Sequence, residues 1–201
     1  MRLVFATHNA HKLNEVRNIL CAYAEEQGTS PIELMGLEDL KCYDDIPENE
    51  STLEGNARAK ADFVFSRFSV DCFADDTGLE IEALGGEPGV YSARYAGEGH
   101  DSFANRKKVM DLMQGICNRK VRFRTVVALR LGGEEHLFEG VVNGIITESE
   151  HGTGGFGYDS IFQPDGFDRT FAELDIKTKN SISHRGMAMR KLVEFLVNYK
   201  K

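Results

Sequence analysis

The first apolar run of the chain is followed by a polar loop and then by a helical pattern. Residues 3–6 are apolar, residues 7–9 are polar, and residues 11–23 carry apolar side chains at helical spacing, namely Leu13, Val16, Leu20 and Tyr23. This pattern predicts a buried strand, a loop and a helix that packs one face on a sheet. Because ligands bind beside the carboxyl ends of such strands, the loop is a candidate ligand site.

The middle of the chain predicts more helices and strands. Ser51, with Glu54 three residues later, matches a capping box and predicts a helix that ends at about Phe65. The remaining apolar runs predict a short strand at 32–35, a strand at 69–74, and a helix over about 101–114 with Ser102 as its cap. Residues 79–84 are a further short strand or the far side of a turn.

The last third of the chain predicts a hairpin and a closing helix. Residues 121–131 place apolar side chains on one face and arginines on the other, and residues 137–146 return after a Gly-Gly turn. The two-residue period is typical of antiparallel strands with one covered face. A helix is predicted over about 184–199. Strand–helix units together with a hairpin predict an α/β fold, with flanking helices on a mixed sheet, in one domain over residues 1–201.

The charge balance changes which partners are plausible. The 201 residues include 24 Lys and Arg against 32 Asp and Glu, a net charge of −8. Proteins that grip nucleic acid or anionic membranes usually present a basic surface, so both partners are disfavoured. A small phosphorylated substrate is not excluded, because a local basic pocket or a metal ion can override the overall charge.

Cysteine spacing and hydropathy indicate an ordinary intracellular protein. No CxxC pair occurs, which predicts free thiols rather than a zinc or redox site at Cys21, Cys42, Cys72 and Cys117. No apolar run approaches the ~18–20 residues of a membrane span. The apolar run at the N-terminus is too short for a signal peptide, so we expect a cytoplasmic location.

Thr7, Asn9 and Lys12 lie at the predicted strand-to-helix junction and form a candidate anion site. Helix N-terminal amides, two polar side chains and an ammonium group together suit a phosphate. The glycine spacing of a P-loop is absent. The alternative is that Thr7 or Asn9 only caps the helix and that Lys12 is a solvated surface residue.

Asp75 and Asp76 are adjacent carboxylates after a predicted strand. At about 4 Å they repel by about 4 kcal/mol at an effective dielectric constant of about 20. One is therefore protonated unless a cation is close or unless strand alternation directs the two side chains to opposite sides. Mg²⁺, which binds one or two carboxylates together with substrate phosphates, fits this motif. The alternative is an acidic turn.

Two further motifs could contact a nucleotide. Residues 152–157 contain four glycines, and Phe156 and Tyr158 offer flat faces on which a base could stack; the alternative is a flexible loop with its aromatic rings packed inward. Cationic side chains lie next to the start of the last predicted helix, namely Lys177, Lys179, His184 and Arg185. Positive charges there oppose the helix dipole unless an anion binds. The alternative is a set of solvated charges.

Four stretches, in this order, resemble the inosine triphosphate pyrophosphatase family: FATHNAHKLNEV, FADDTGLEIEALGGEPGVYSARYAG, GTGGFGYDSIF and SISHRGMA. They extend from residue 5 to residue 188. The resemblance implies an elongated mixed sheet with two lobes around a central cleft, usually in a homodimer. It also implies Mg²⁺-dependent hydrolysis of ITP, dITP and XTP to the monophosphate and pyrophosphate, which keeps deaminated bases out of DNA and RNA.

The resemblance also implies residue roles. Asp76 is the expected catalytic proton acceptor and a metal ligand, with Glu48 as the second ligand and Glu50 as the alternative. The triphosphate is expected to contact the first motif, which comprises Thr7, His8, Asn9, Ala10, His11 and Lys12, although the two histidines receive no catalytic role. The other implied substrate contacts are Thr77, Phe156, Gly157, Tyr158, Asp159, Lys179, His184 and Arg185, with the Phe156 ring stacked on the purine.

Two other functions remain open from the sequence. One is a pyrophosphatase that acts on pyrimidine or modified-base triphosphates, which only a substrate panel distinguishes. The other is a nucleotide-binding protein without catalysis, against which the intact Asp75-Asp76 pair, Lys12 and Lys179 argue. The preferred triphosphate and the geometry of a dimer do not follow from the sequence.

Overall fold

The described part of the chain, residues 1–30 and 32–199 of a computed structural model, contains seven strands and five helices. The strands are β1 (Arg2–Phe5), β2 (Glu33–Met35), β3 (Cys72–Ile81), β4 (Pro88–Gly89), β5 (Lys120–Leu131), β6 (Glu134–Ile146) and β7 (Phe162–Pro164). The helices are α1 (Ala10–Gln27), α2 (Leu53–Phe68), α3 (Ser102–Leu112), α4 (Ile176–Ile182) and α5 (His184–Tyr199).

The strands form one mixed sheet in the order β2-β1-β3-β5-β6-β7, with β4 paired to β3. β1 runs parallel to β2 and β3, with Leu3 opposite Leu34 and Val4 opposite Cys72. β4 and β7 pair antiparallel with β3 and β6. The predicted α/β class with a mixed sheet is therefore confirmed.

The chain divides into two compact units. The first comprises Met1–Asp76, Thr125–Gly140 and the C-terminal residues from Arg185, and the second comprises Thr77–Arg124 and Val141–His184. In the first unit the apolar side chains of α1 and α5, including Val16, Leu20 and Leu192, pack in one core with those of the sheet, including Phe73 and Leu129. The core of the second unit is more aromatic and includes Phe123, Tyr158, Phe162 and Phe171.

Both predicted helix caps are wrong by one residue. α2 is capped by Thr52, whose hydroxyl accepts a hydrogen bond from the Gly55 amide at 3.0 Å, and not by Ser51. α3 is capped by Asp101, whose carboxylate accepts from two amides of the first turn, and not by Ser102. In each case a neighbouring side chain of equal capping ability has the extended backbone that a cap requires.

Two strand predictions also need correction. β3 continues from Cys72 to Ile81 through the two aspartates, so the further strand or turn predicted at 79–84 is the end of β3 followed by a 3-10 turn at Glu82–Leu84. In β5, residues 125–129 are buried on both faces, so only the outer parts of this strand follow the predicted alternation. Among the described helices, none has the length and apolarity that crossing a bilayer requires.

Candidate active site

The polar residues between β1 and α1 cap the helix. Thr7 accepts a hydrogen bond from the Asn9 amide, and Asn9 in turn accepts from the Lys12 amide at 3.1 Å as the N-cap. His8 contacts the carbonyl oxygen of Asp44 at 2.9 Å. Ala10 and His11, in the first turn, are exposed with His8 and Asn9, whereas Thr7 is half-buried. Asn9 therefore caps α1, which leaves its proposed contact with a phosphate untested.

The Lys12 side chain is not solvated as the capping alternative supposes. It is 16% exposed, and its ammonium group donates to Asp75 Oδ1 at 2.9 Å. The other oxygen of Asp75 accepts from Arg185 Nε at 3.0 Å, and the Arg185 guanidinium also pairs with Glu15. Burial alone raises the pKa of Asp75, but the Lys12 and Arg185 charges outweigh it and hold this pKa well below its ordinary value.

Asp76 has a separate set of partners, because alternation along β3 separates the two carboxylates. Its Oδ2 accepts from Asn56 Nδ2 at 3.0 Å, and its Oδ1 accepts from the buried Lys60 ammonium at 3.1 Å. Lys60 also donates to Glu48 at 2.6 Å. Burial raises the pKa of Asp76 above its ordinary value, although Lys60 opposes this shift. Thr77 follows directly in β3 and is half-buried.

Burial and opposite charges also act on the partners of Asp76. Burial opposes the charge of Lys60, yet Asp76 and Glu48 outweigh it and raise the pKa of this ammonium. The same burial raises the pKa of Glu48, but Lys60 outweighs it, so the carboxyl is more acidic than an ordinary glutamate. Lys60 and Glu48 therefore stabilise each other in their charged forms.

Of the predicted metal ligands, the structure brings Glu48 and Asp76 together at one ammonium group. Both reach the Lys60 ammonium, whereas Glu50 is an exposed residue whose amide donates to Asn56. No group of three or more His, Cys, Asp or Glu side chains able to hold a metal lies within residues 1–30 and 32–199. Two carboxylates nevertheless suffice for Mg²⁺, which takes its other ligands from substrate phosphates and water.

In the second unit, Asp159 organises the end of the glycine loop, which we define as residues 152–157. Asp159 is buried, and its Oδ2 accepts from the Phe156 amide at 2.8 Å and from Lys179 Nζ at 2.7 Å. A Cβ atom at Gly155 would collide with this carboxylate, and the φ of 70° also favours glycine at this position. The Lys179 ammonium also lies 5.1 Å from the centre of the Phe156 ring.

The two aromatic residues of this segment differ in environment. Tyr158 is buried and its hydroxyl donates to the Ser92 carbonyl at 2.7 Å, so burial raises the pKa of this phenol. Phe156 is only half-buried. The inward-packing alternative thus applies to Tyr158, which leaves Phe156 as the aromatic side chain suited to stacking on a base.

The cations near the start of α5 are paired with carboxylates of the chain itself. Lys179 pairs with Asp159, and Arg185 pairs with Asp75 and Glu15, whereas Lys177 is exposed. These carboxylates supply the negative charge beside the cations that was expected from a bound anion. His184 is buried with its ring stacked on Phe123, at 4.4 Å between ring centres.

Three residues that pair with the predicted site residues Asp76 or Arg185 were not identified by sequence analysis, namely Glu15, Asn56 and Lys60. Asn56 and Lys60 lie one turn apart on α2, and each directly precedes a buried alanine, Ala57 or Ala61. Two polar residues at this spacing beside an apolar stripe are a signal that could have identified them. Nothing in the local sequence marks Glu15.

A mixed α/β fold that buries two carboxylates beside lysines within β3 is compatible with an enzyme that positions phosphate groups by charge. The protein-family comparison is more specific: the Ham1 family model matches residues 3–195, and the chain belongs to this family. The dITP/XTP pyrophosphatase of Flavobacterium johnsoniae is 47% identical to it, and the alignment covers 100% of both chains. The dITP/XTP pyrophosphatase of Porphyromonas gingivalis is 48% identical, and the alignment covers 98% of this chain and 97% of that one.

Solved structures agree. The Staphylococcus aureus Ham1 protein superimposes with a TM-score of 0.86 at 34% identity, covering 99% of this chain and 100% of that one. A HAM1 protein from Coxiella burnetii superimposes with a TM-score of 0.87 at 33% identity, covering 98% of this chain and 99% of that one. The resemblance inferred from the sequence motifs is therefore confirmed.

Proposed function

We propose that the protein hydrolyses deaminated purine nucleoside triphosphates, ITP, dITP and XTP, to the monophosphate and pyrophosphate. The observation that carries this proposal is the Asp76 cluster, in which a buried carboxylate is held by Asn56 and Lys60, and Lys60 also holds Glu48. Membership of the Ham1 family and the full-length similarity to proteins named dITP/XTP pyrophosphatase support the substrate class.

Asp76 is the proposed proton acceptor. Its burial raises its pKa, which makes the carboxylate a stronger base than a solvated aspartate. Lys60 and Asn56 hold its two oxygens in fixed directions, so it can orient and deprotonate a water molecule aimed at the α phosphorus. Lys60 opposes this upward shift of the pKa.

Glu48 and Asp76 are the proposed ligands of a bound Mg²⁺ ion, which when present supplies charge neutralisation to the phosphate oxygens. Lys12 is the proposed contact of the triphosphate, and its pairing with Asp75 fixes where the ammonium lies. The first-motif residues Thr7 to His11, in the loop after β1 and the first turn of α1, form the rest of the proposed phosphate site. In such reactions, positioning and electrostatics supply most of the catalysis.

We propose that the base and the remaining part of the nucleotide contact the residues of the other motifs. Phe156 stacks on the purine, and Lys179 neutralises charge on the substrate. The other proposed contacts are Thr77, Gly157, Tyr158, Asp159, His184 and Arg185. A 6-keto purine presents an acceptor where adenine presents a donor, so a donor such as Arg185 or a backbone amide rejects adenine by leaving buried groups unpaired.

We further propose a homodimer in the cytoplasm that acts on free nucleotides and binds neither nucleic acid nor membranes. The homodimer is implied by the family resemblance. The net charge of −8 supports a free triphosphate over a polyanionic nucleic acid as the partner. Size-exclusion chromatography with light scattering tests the dimer, for which the expected mass is twice the 22.5 kDa of the chain.

Product analysis tests the proposed reaction. ITP is incubated with the protein and Mg²⁺, and the nucleotides are separated by anion exchange. We expect IMP and pyrophosphate in equal amounts. Release of IDP and inorganic phosphate would place the cleavage at the β–γ bond and refute the proposal, as would tight binding of ITP without turnover.

A further inference from the structure

Arg106 connects the two ends of the glycine loop. It lies on α3, and its guanidinium donates from Nε to Glu150 at 2.9 Å and from Nη1 to the Gly157 carbonyl at 2.8 Å. Glu150 precedes the loop and Gly157 is its last residue. A single side chain from another element therefore closes this segment at both ends.

The glycine loop requires stabilising contacts to be ordered, because its glycines lose much conformational entropy. Gly155 and Gly157 have φ values of 70° and 63°, and two more glycines precede them. Glycine backbone loses the most conformational entropy when it is ordered. Ser160 donates to the same oxygen of Glu150 as Arg106 does, at 2.8 Å, so Glu150 is fixed from two directions.

The closure acts directly on Phe156. The amide of Phe156 is held by Asp159, and the carbonyl of the next residue, Gly157, is held by Arg106. The backbone that carries the aromatic ring is thus fixed on both sides. The Arg106 side chain is 18% exposed, and its planar fork can direct two donors at two acceptors at once, which a lysine cannot reproduce.

We propose that Arg106 is a positioning residue for recognition of the base. It holds the glycine loop so that the Phe156 ring is in place before the nucleotide binds, which lowers the entropy lost on binding. This inference rests on the proposed function, in which Phe156 stacks on the purine. The hydrogen bonds of Arg106 are with Glu150 and Gly157, so we expect its effect on substrate binding and not on the chemical step.

Steady-state kinetics with ITP and Mg²⁺ test this role. For Arg106→Gln we expect KM to rise about tenfold while kcat stays within about twofold, the pattern of lost uniform binding. Inhibition by inorganic tripolyphosphate, which has no base, should be unchanged. Arg106→Lys should give a KM between those of the wild type and the Gln variant. Arg122→Gln is the matched control, because Arg122 pairs with Glu80 in the same unit and is 52% exposed.

A second readout follows the ring itself without any substrate. The chain contains no tryptophan, so Phe156→Trp introduces a single fluorescent reporter at the loop. Adding Arg106→Gln to this variant should increase the acrylamide quenching constant and lower the fluorescence anisotropy. Adding Arg122→Gln should change neither value.

Three results would overturn the inference: an unchanged KM, a fall in kcat at constant KM, or an equal weakening of tripolyphosphate inhibition. Unchanged tryptophan quenching and anisotropy would also overturn it, because the loop would then be ordered without Arg106. If the wild type releases no pyrophosphate from ITP, the proposed function fails, whereas the tryptophan measurement still decides whether Arg106 orders the loop.

Discussion

Replacing Arg185 with methionine tests how strongly its buried ion pairs with Asp75 and Glu15 stabilise the folded protein. The Arg185 side chain is 2% exposed and pairs with Asp75 and Glu15, whose side chains are 1% and 9% exposed. Arg185→Met keeps most of the volume of the side chain but removes the cation that both carboxylates share. Removing one partner of a buried pair leaves an uncompensated buried charge and typically lowers the free energy of unfolding by about 3–5 kcal/mol.

Lys12 still compensates Asp75 in this variant, so we expect a loss near the lower end, about 3 kcal/mol. For a chain of about 200 residues, each kcal/mol lowers the melting temperature by roughly 2–4 °C. The expected fall in melting temperature is therefore about 6–12 °C. Urea unfolding followed by circular dichroism measures the free energy, and thermal unfolding measures the temperature.

Arg2→Met is the control, because it removes the same side chain from an exposed pair. Arg2 and Glu33 are 75% and 60% exposed, and such pairs contribute less than about 1 kcal/mol. Equal losses in the two variants would refute the reasoning. The double variant Glu15→Gln with Arg185→Met should lose less than the sum of the two single variants, because it removes one of the uncompensated carboxylates.

Three other predictions concern the reaction, the thiols and pH. Asp76→Asn should lower pyrophosphate release from ITP at least about a hundredfold, and near-normal turnover would remove Asp76 from the mechanism. Burial raises the pKa of Cys72 to about 12, so at pH 8 Ellman's reagent should react with two of the four thiols in the native protein and with all four in denaturant, the native pair being Cys21 and Cys117. Hydrogen bonds from Thr178 hold the pKa of Asp175 below its ordinary value, so its contribution to stability is complete above about pH 4 and is lost as pH falls further. Asp175→Asn should therefore flatten the fall in unfolding free energy between about pH 5 and pH 2, and an unchanged slope would contradict this account.

Hydrophobic periodicity predicted most of the fold where an element buries one face, as α1 and the outer parts of β5 do. The pattern in α1 and α5 and the alternation in β5 and β6 identified these elements close to their observed bounds. The caps of α2 and α3 were each missed by one residue, because two adjacent side chains could cap equally well and only the backbone conformation decides between them. The short helix α4, of seven residues, was not predicted because its apolar pattern is too brief.

The candidate site was predictable where the chemistry is local and not where it depends on distant contacts. Alternation along a strand was one of the two ways in which Asp75 and Asp76 could both remain charged, and the structure shows it together with the other, nearby cations. The pairing of Arg185 with Glu15 joins residues 170 positions apart, which no local pattern can reveal. Lys60 was missed because a lysine on a predicted surface helix is normally solvated, whereas here two carboxylates stabilise it in a buried position.

A panel of nucleoside triphosphates, assayed for pyrophosphate release with Mg²⁺, tests the central claim most directly. We predict that kcat/KM for ITP, dITP and XTP exceeds that for ATP by at least about a hundredfold, since a site built for a 6-keto purine leaves buried groups unpaired against adenine. Equal values of kcat/KM for ITP and ATP, or a preference for a pyrimidine triphosphate, would contradict the account.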